Sequence, residues 1–236
     1  MKNIKTLFFA SLVIALISCE VDNYDEPNAS ISGSIKDIGA PGVSVQQDIS
    51  GGSVITYREQ GWNNKLFNQS MIFKCDGTYR NDLIFAATYD FLMRDGNYVP
   101  LDTIKNVVIK PGVNAYDFTV QPYIRIQDVS IQKVGTEIIA TFKINPTVNV
   151  NVKEINLYVH FNPSVGFNIN YGKLTVTQNV GSIVPVGTPF TLRLNLSSPD
   201  AISTLKSGEQ YYFRVGALID VAQAKRNYAP AVKIQI

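Results

Sequence analysis

From Ala29 onward the chain never holds a helical period for long. Apolar residues alternate with polar ones, or form short runs rich in Val, Ile, Phe, Tyr and Thr, and Gly, Asn, Asp and Pro interrupt them every eight to fifteen residues. Alternation at period two places one set of side chains on one face of a strand, and frequent turn residues keep the strands short and antiparallel. The fold class is therefore all-β, built as two β-sandwich domains over residues 29–122 and 123–236. Only Ser203 to Gly208 has room for a helical turn.

In the first domain, Ile31, Gly33 and Ile35 fall on one face of an opening strand, and Gly39-Ala40-Pro41-Gly42 turns the chain into Val43 and Val45. Further strands are expected at Val54 to Arg58, Met71 to Cys75, Leu83 to Met93, Ile104 to Ile109 and Tyr116 to Val120, about seven in all. Asp76-Gly77 reads as a type I′ hairpin turn, with further corners at Asp95-Gly96-Asn97 and Pro111-Gly112. The order Gly33-x-Ile35-x-Asp37, Gly39-Ala40-Pro41-Gly42-Val43-x-Val45, Asp76-Gly77-Thr78-Tyr79 and Thr88-Tyr89 resembles the carboxypeptidase regulatory-like, or prealbumin-like, sandwich. Ala87 stands where that pattern usually has glycine. The resemblance implies a structural or adhesive module without catalytic residues.

In the second domain Ile138, Ala140, Phe142 and Ile144 alternate, as do Ile155, Leu157, Val159 and Phe161. Leu205-Lys206-Ser207-Gly208-Glu209-Gln210-Tyr211 resembles the tyrosine corner of fibronectin III and other immunoglobulin-like sandwiches. Ser207 replaces the usual proline, and Gly208 still permits the turn. Tyr211, Phe213, Val215 and Ala217 are then expected inside, with Tyr212 and Arg214 outside.

The stretch ahead of both domains concerns location. Lys2 and Lys5 precede an apolar stretch of eleven residues, Leu7 to Ile17, which suits a signal peptide and is too short to span a bilayer. Leu16-Ile17-Ser18-Cys19 resembles the lipobox of bacterial lipoproteins. That implies removal of residues 1–18 and acylation of Cys19, although plain signal cleavage is the alternative. Glu20, Asp22, Asp25 and Glu26 make residues 19–28 an acidic tether, similar to the surface-export signal of Bacteroides-type bacteria. Several buried acyl chains hold a protein to a membrane where one chain alone does so only marginally. The expected place is the outer membrane, at its outer face, with the periplasmic face as the alternative.

Losing Lys2 and Lys5 takes the basic count from 21 to 19, against 19 acidic residues. A formally neutral mature chain without a basic run is not a nucleic-acid binder. Cys75 is the only cysteine besides Cys19, so no intramolecular disulfide among mature-domain thiols is available.

Reactive chemistry has little to work with. The single histidine, His160, is read as an outward strand residue sharing a face with Asn156 and Tyr158. One histidine cannot build a histidine-rich zinc site, and no G-x-S-x-G motif accompanies it. Asp76, Asp82, Asp90, Asp95 and Asp102 sit mostly at turns, where Asp serves its own backbone. Three oxygen-bearing positions in a row at Asp95-Gly96-Asn97 are not a calcium cage. No catalytic residue, metal or cofactor is expected, apart from the covalent lipid on Cys19.

A binding surface is the better idea. The Gln-, Asn-, Ser- and Gly-rich stretch between Gln46 and Ser70 holds the only tryptophan, Trp62, beside Asn63 and Asn64. A ring flanked by amides suits a sugar, whose C–H faces stack while its hydroxyls take the amides; the other reading is a large aromatic closing the sandwich end. Tyr98 is a second candidate on that rim. The whole order, including Asn23-Tyr24-Asp25, Asp76 to Asn81, Tyr98-Val99-Pro100 and Asp117 to Tyr123, resembles the Bacteroides-type surface lipoproteins of domain of unknown function family 3823. That resemblance implies a non-enzymatic accessory presenting polysaccharide beside an outer-membrane transport complex of the SusC/SusD kind. A structural or adhesive surface module is the alternative, and a glycan hydrolase a weaker one. Replacing Cys19 by Ala is expected to abolish incorporation of a fatty-acid probe; unchanged labelling would refute lipidation at this sulfur.

Overall fold

The computed structural model describes residues 25–61 and 67–236; the signal segment, Cys19 and Trp62, Asn63 and Asn64 lie outside the described residues. The first domain holds strands β1 (Ala29–Asp37), β2 (Val54–Glu59), β3 (Gln69–Ile72), β4 (Thr78–Ile84), β5 (Thr88–Leu92), β6 (Ile104–Val108), β7 (Gly112–Ala115) and β8 (Phe118–Val120). One sheet has the order β4-β1-β7, with β8 also on β1, and the other runs β3-β2-β5-β6. Between them Ile31, Ile35, Ile55, Phe73, Tyr79, Phe91 and Phe118 form the core. Phe118 meets Phe73, Tyr79, Phe91 and Tyr116 with ring centroids 5.2–6.4 Å apart, in the edge-on and tilted geometries that a ring quadrupole favours.

Three expectations for this domain need correction. Val43 to Val45 forms no ladder; Ser44 alone bridges Lys36. Leu83 to Met93 is two strands, because the chain leaves one sheet at Ile84 and joins the other at Thr88. Asp76-Gly77 does turn the chain, but only Gly77 takes positive φ (81°), so this is not a type I′ turn. Lys74 accepts from Gly77 N–H, and Asp76 Oδ1 accepts from Thr78 N–H and Oγ. The turn passes the chain between sheets instead of closing a hairpin. A Cβ at Gly77 would lie 2.5 Å from the Val45 carbonyl oxygen.

The second domain holds β9 (Ile124–Val134), β10 (Glu137–Pro146), β11 (Val152–His160), β12 (Val176–Ser182), β13 (Thr188–Asn195), β14 (Gln210–Ile219), β15 (Asn227–Tyr228) and β16 (Val232–Gln235). Its sheets run β13-β10-β9 and β12-β11-β14-β15, with β16 also on β14. Ile138, Ala140, Phe142 and Ile144 face Ile155, Leu157, Val159, Phe213, Val215 and Ala217 across the core. Tyr211 accepts the Lys206 N–H at 2.9 Å, closing the tyrosine corner, and Gly208 there has φ +86°. The one α-helix of the described residues, α1 (Pro199–Thr204), starts earlier than expected. Ser198 caps it by accepting from Ala201 N–H, with Pro199 in the first turn, a recognised start signal.

The outer face of β11 and β14 overturns the simple in-and-out reading. Asn156, Tyr158 and Arg214 are buried, and Phe161 is exposed. Tyr158 packs with Val165 and Tyr228 beneath the loop that follows β11, while the first domain covers Arg214. Arg214 is only 1% exposed, and five acceptors surround its guanidinium. Nε donates to the Ala229 carbonyl, one terminal nitrogen to the carbonyls of Gln47 and Val165, and the other to Cys75 O and Gln46 Oε1, at 2.8–3.4 Å. The plane also lies 4.4 Å from the Tyr228 ring centre. Three of these acceptors belong to the first domain, so one side chain of the second domain fastens both.

Asn97 completes the joint from the other side. Its Oδ1 accepts from Gln47 and Ser53, its Nδ2 donates to the carbonyls of Gln46 and Arg226, and its carbonyl accepts from Tyr123 N–H and Asn227 Nδ2. Removing Arg214 strands buried acceptors at about 1–3 kcal/mol each. Arg214→Met is expected to lower stability by roughly 3 kcal/mol or more and to split one calorimetric transition into two; a single unshifted transition would show that the joint does not couple the domains.

Candidate functional site

Two crevices lie at this joint. On one side lies a crevice of about 390 Å³ with largely apolar walls, including Val43, Pro122, Ile124, Ile126 and Pro230. The Asp37–Arg125 pair closes one end. Arg125 donates through Nε and one terminal nitrogen to the two Asp37 oxygens at 2.6 and 2.7 Å, and Gly39 N–H adds a third bond at 2.8 Å. A Cβ at Gly39 would come within 2.2 Å of the guanidinium, so glycine lets the fork close. Burial alone raises the Asp37 pKa, but the Arg125 and Gly39 hydrogen bonds and the Arg125 charge outweigh it and leave the pKa below the usual carboxylate range.

The second crevice, about 290 Å³, is more polar and is bordered by Asp48, Phe167, Asn168, Lys225, Arg226 and Tyr228. Asp48 Oδ2 accepts from Phe167 N–H at 3.0 Å and from the Tyr228 hydroxyl at 2.8 Å, tying the loop after β11 to the first domain. Gly166 permits this approach, since a Cβ there would sit 2.9 Å from that oxygen. Phe167 remains 50% exposed, and the Arg226 guanidinium lies 3.7 Å from its ring centre. Glu154 pairs with Arg226 from behind. The result is a pinned, half-exposed ring bordered by an amide, an ammonium and a guanidinium.

The residues singled out in the sequence are not assembled together. Tyr98 is fully buried in the first core, with its hydroxyl toward Met93 Sδ at 3.9 Å, so it is not a rim residue. A Gly96 side chain would collide with its ring. Trp62, Asn63 and Asn64 are outside the described residues. Gln60 N–H bonds the Thr88 carbonyl, and Gln69 pairs with Tyr57. His160 stacks between Phe161 and Tyr171, with Nδ1 accepting from Asn162 N–H; burial lowers its pKa.

Three of the turn carboxylates have structural partners. Asp76 holds its turn, Asp82 pairs with exposed Arg80, and Asp90 accepts from Gln60 and Asn106. Among the described residues no group of three His, Cys, Asp or Glu is placed to hold a metal ion. Phe167 escaped the sequence reading, although Phe167-Asn168 repeats the aromatic-amide pairing of Trp62-Asn63. Its signal is a loop rich in Asn between aromatic residues, and what distinguishes it is the contact with Asp48, which is 119 positions away.

Fold and joint define a two-domain, all-β sandwich protein. A family model for the N-terminal domain of a protein of unknown function, DUF3823, matches residues 29–121, and one for a domain of unknown function, DUF3823_C, matches residues 124–233. The chain belongs to the DUF3823 family. A solved structure of a candidate carbohydrate-binding protein from Bacteroides uniformis is 36% identical to it, with TM-score 0.81, covering 89% of this chain and 100% of that one. DUF3823 family proteins from Bacteroides uniformis and Parabacteroides merdae, at 22% and 21% identity, share the fold with TM-scores of 0.73 and 0.71, each covering 89% of this chain and 100% of its own. No curated protein matches the chain.

The depressed Asp37 pKa makes the Asp37–Arg125 pair acid-sensitive. Its contribution is fully present above the ordinary carboxylate pKa, about 3.9, and is lost as pH falls through the lower folded-state value. Asp37→Asn is expected to cost about 1.5–3 kcal/mol near neutrality, with the gap from the native protein closing below about pH 4. Urea titrations at stepped pH measure this; a gap that persists in acid would exclude the ionised pair as its source.

Proposed function

We propose that this chain is a lipid-anchored protein of the outer-membrane surface that binds glycan without cleaving it, as an accessory to a SusC/SusD-like uptake complex. The observation that carries the glycan reading is the likeness, over the whole length of the other chain, to the candidate carbohydrate-binding protein of Bacteroides uniformis. The lipobox-like and acidic residues of 16–26 support the location.

The polar crevice at the joint is the preferred binding site. A sugar ring presents C–H groups that an aromatic face attracts through its negative quadrupole. Phe167 offers such a ring, held in place by Asp48 and Arg226, with Asn168 and Lys225 on the border for hydroxyl groups. The joint keeps the two walls in register, so little ordering entropy opposes binding. The Trp62-Asn63-Asn64 stretch is the competing location.

The test is retention of soluble residues 20–236 on a polysaccharide panel, with Phe167→Ala and Trp62→Ala compared at matched folding. Phe167→Ala is expected to weaken retention about tenfold, equivalent to roughly 1.4 kcal/mol, with Trp62→Ala close to the native protein. Loss in Trp62→Ala alone would move the site to residues 62–64. Retention of no polysaccharide at all would remove the glycan reading.

A further inference from the structure

We infer that the end of the first domain nearest the tether is a lipid-docking surface, seated on the bilayer that the proposed Cys19 anchor would enter; the inference rests on that anchoring. Asn28 fixes where the chain enters the fold. Its side chain accepts from Ala86 N–H and its carbonyl accepts from Gly112 N–H, so it lies between the end of β4 and the start of β7. Nine positions separate it from Cys19, which limits its distance from an acylated sulfur to about 30 Å even at full extension.

Large apolar side chains crowd this end. Ala29 pairs with Ile84, and both point into the core, so Leu83 and Phe85 flank Ile84 on the outer face. Val113 pairs with Ser30 and shares that outer face. Leu83 is 75% exposed, Phe85 44% and Val113 87%. Val108 pairs with Thr88 at the same end of the other sheet and is 61% exposed, and Phe67, just ahead of the Gln69–Tyr57 pair, is 65% exposed.

The same outer face changes character toward the joint, where Ser32 lies opposite Arg80 and Ser34 opposite Thr78. Exposed Lys110 stands beside the apolar group, suited to lipid phosphates. Apolar tips with an adjacent cation, next to the point where a short tether ends, fit the headgroup and acyl boundary of a bilayer. The geometry holds the joint and its polar crevice at the opposite end of the first domain, away from the membrane.

The test uses the full-length acylated protein, with Cys75→Ala to leave one free thiol, in phosphatidylethanolamine–phosphatidylglycerol vesicles carrying spin-labelled lipid. A fluorophore is placed at Val113→Cys or Val108→Cys, and for comparison at Ile202→Cys, in α1 at the far end of the second domain. Quenching at 113 and 108 is expected to exceed that at 202 by about threefold or more, as for groups seated roughly 5–10 Å into the interface. Leu83→Asp with Phe85→Asp is expected to remove the excess at 108 while flotation with vesicles persists. Acylated, floating protein with equal quenching at 113, 108 and 202 would overturn the docking surface and leave the anchor standing. Protein without acyl label would overturn both. Protection of position 113 in native outer membranes but not on vesicles would assign the surface to a protein partner and overturn lipid docking.

Discussion

Arg214 sits where water cannot reach it, and a guanidinium in that position needs acceptors for five N–H groups. It finds them in four backbone carbonyls and one amide oxygen, drawn from four separate parts of the sequence. None is a carboxylate, so the charge is stabilised by oriented dipoles, with burial lowering its pKa and Asp48 and Tyr228 among the neighbours that oppose this. Such an arrangement tolerates little displacement, because each acceptor is itself fixed by its strand or turn. Lysine, with three donors on a flexible stem, has no geometry that replaces it. Both crevices border the contacts that this residue and Asn97 hold together.

The sequence made the sheets legible because period two survives wherever one face of a strand meets the core and the other meets water. Ile138 to Ile144 is such a stretch, and the corner at Leu205 to Tyr211 is legible from its own residues. The pattern misleads where a second body covers the outer face. Arg214 and Tyr158 are both in positions that alternation turns outward, and both are buried, because the first domain and the loop after β11 lie over that face. Nothing local distinguishes an arginine in water from one with five buried acceptors.

Turn chemistry was legible in kind and less so in connectivity. Asp76-Gly77 bends the chain as its residues require, yet which sheet each flanking strand joins depends on β1 and β2, far away in sequence. Tyr98 illustrates the same limit at the candidate site. A tyrosine next to a Gly-Asn corner resembles a surface ring, but the corner folds inward because Asn97 is consumed by the joint. The Phe167 crevice needed Asp48 and Arg226 brought together from distant segments, and only tertiary structure supplies that.

The first strand is also the one that the chain enters directly after Asn28. It is bonded on both sides, antiparallel to β4 and parallel to β7 and β8. Any mechanical load reaching Asn28 therefore acts along the strand axis and slides the ladders, and the hydrogen bonds on both flanks resist together. A terminal strand at a sheet margin, pulled crosswise, would instead open one bond at a time. The first domain is thus built to bear load on its opening strand without unravelling from that end.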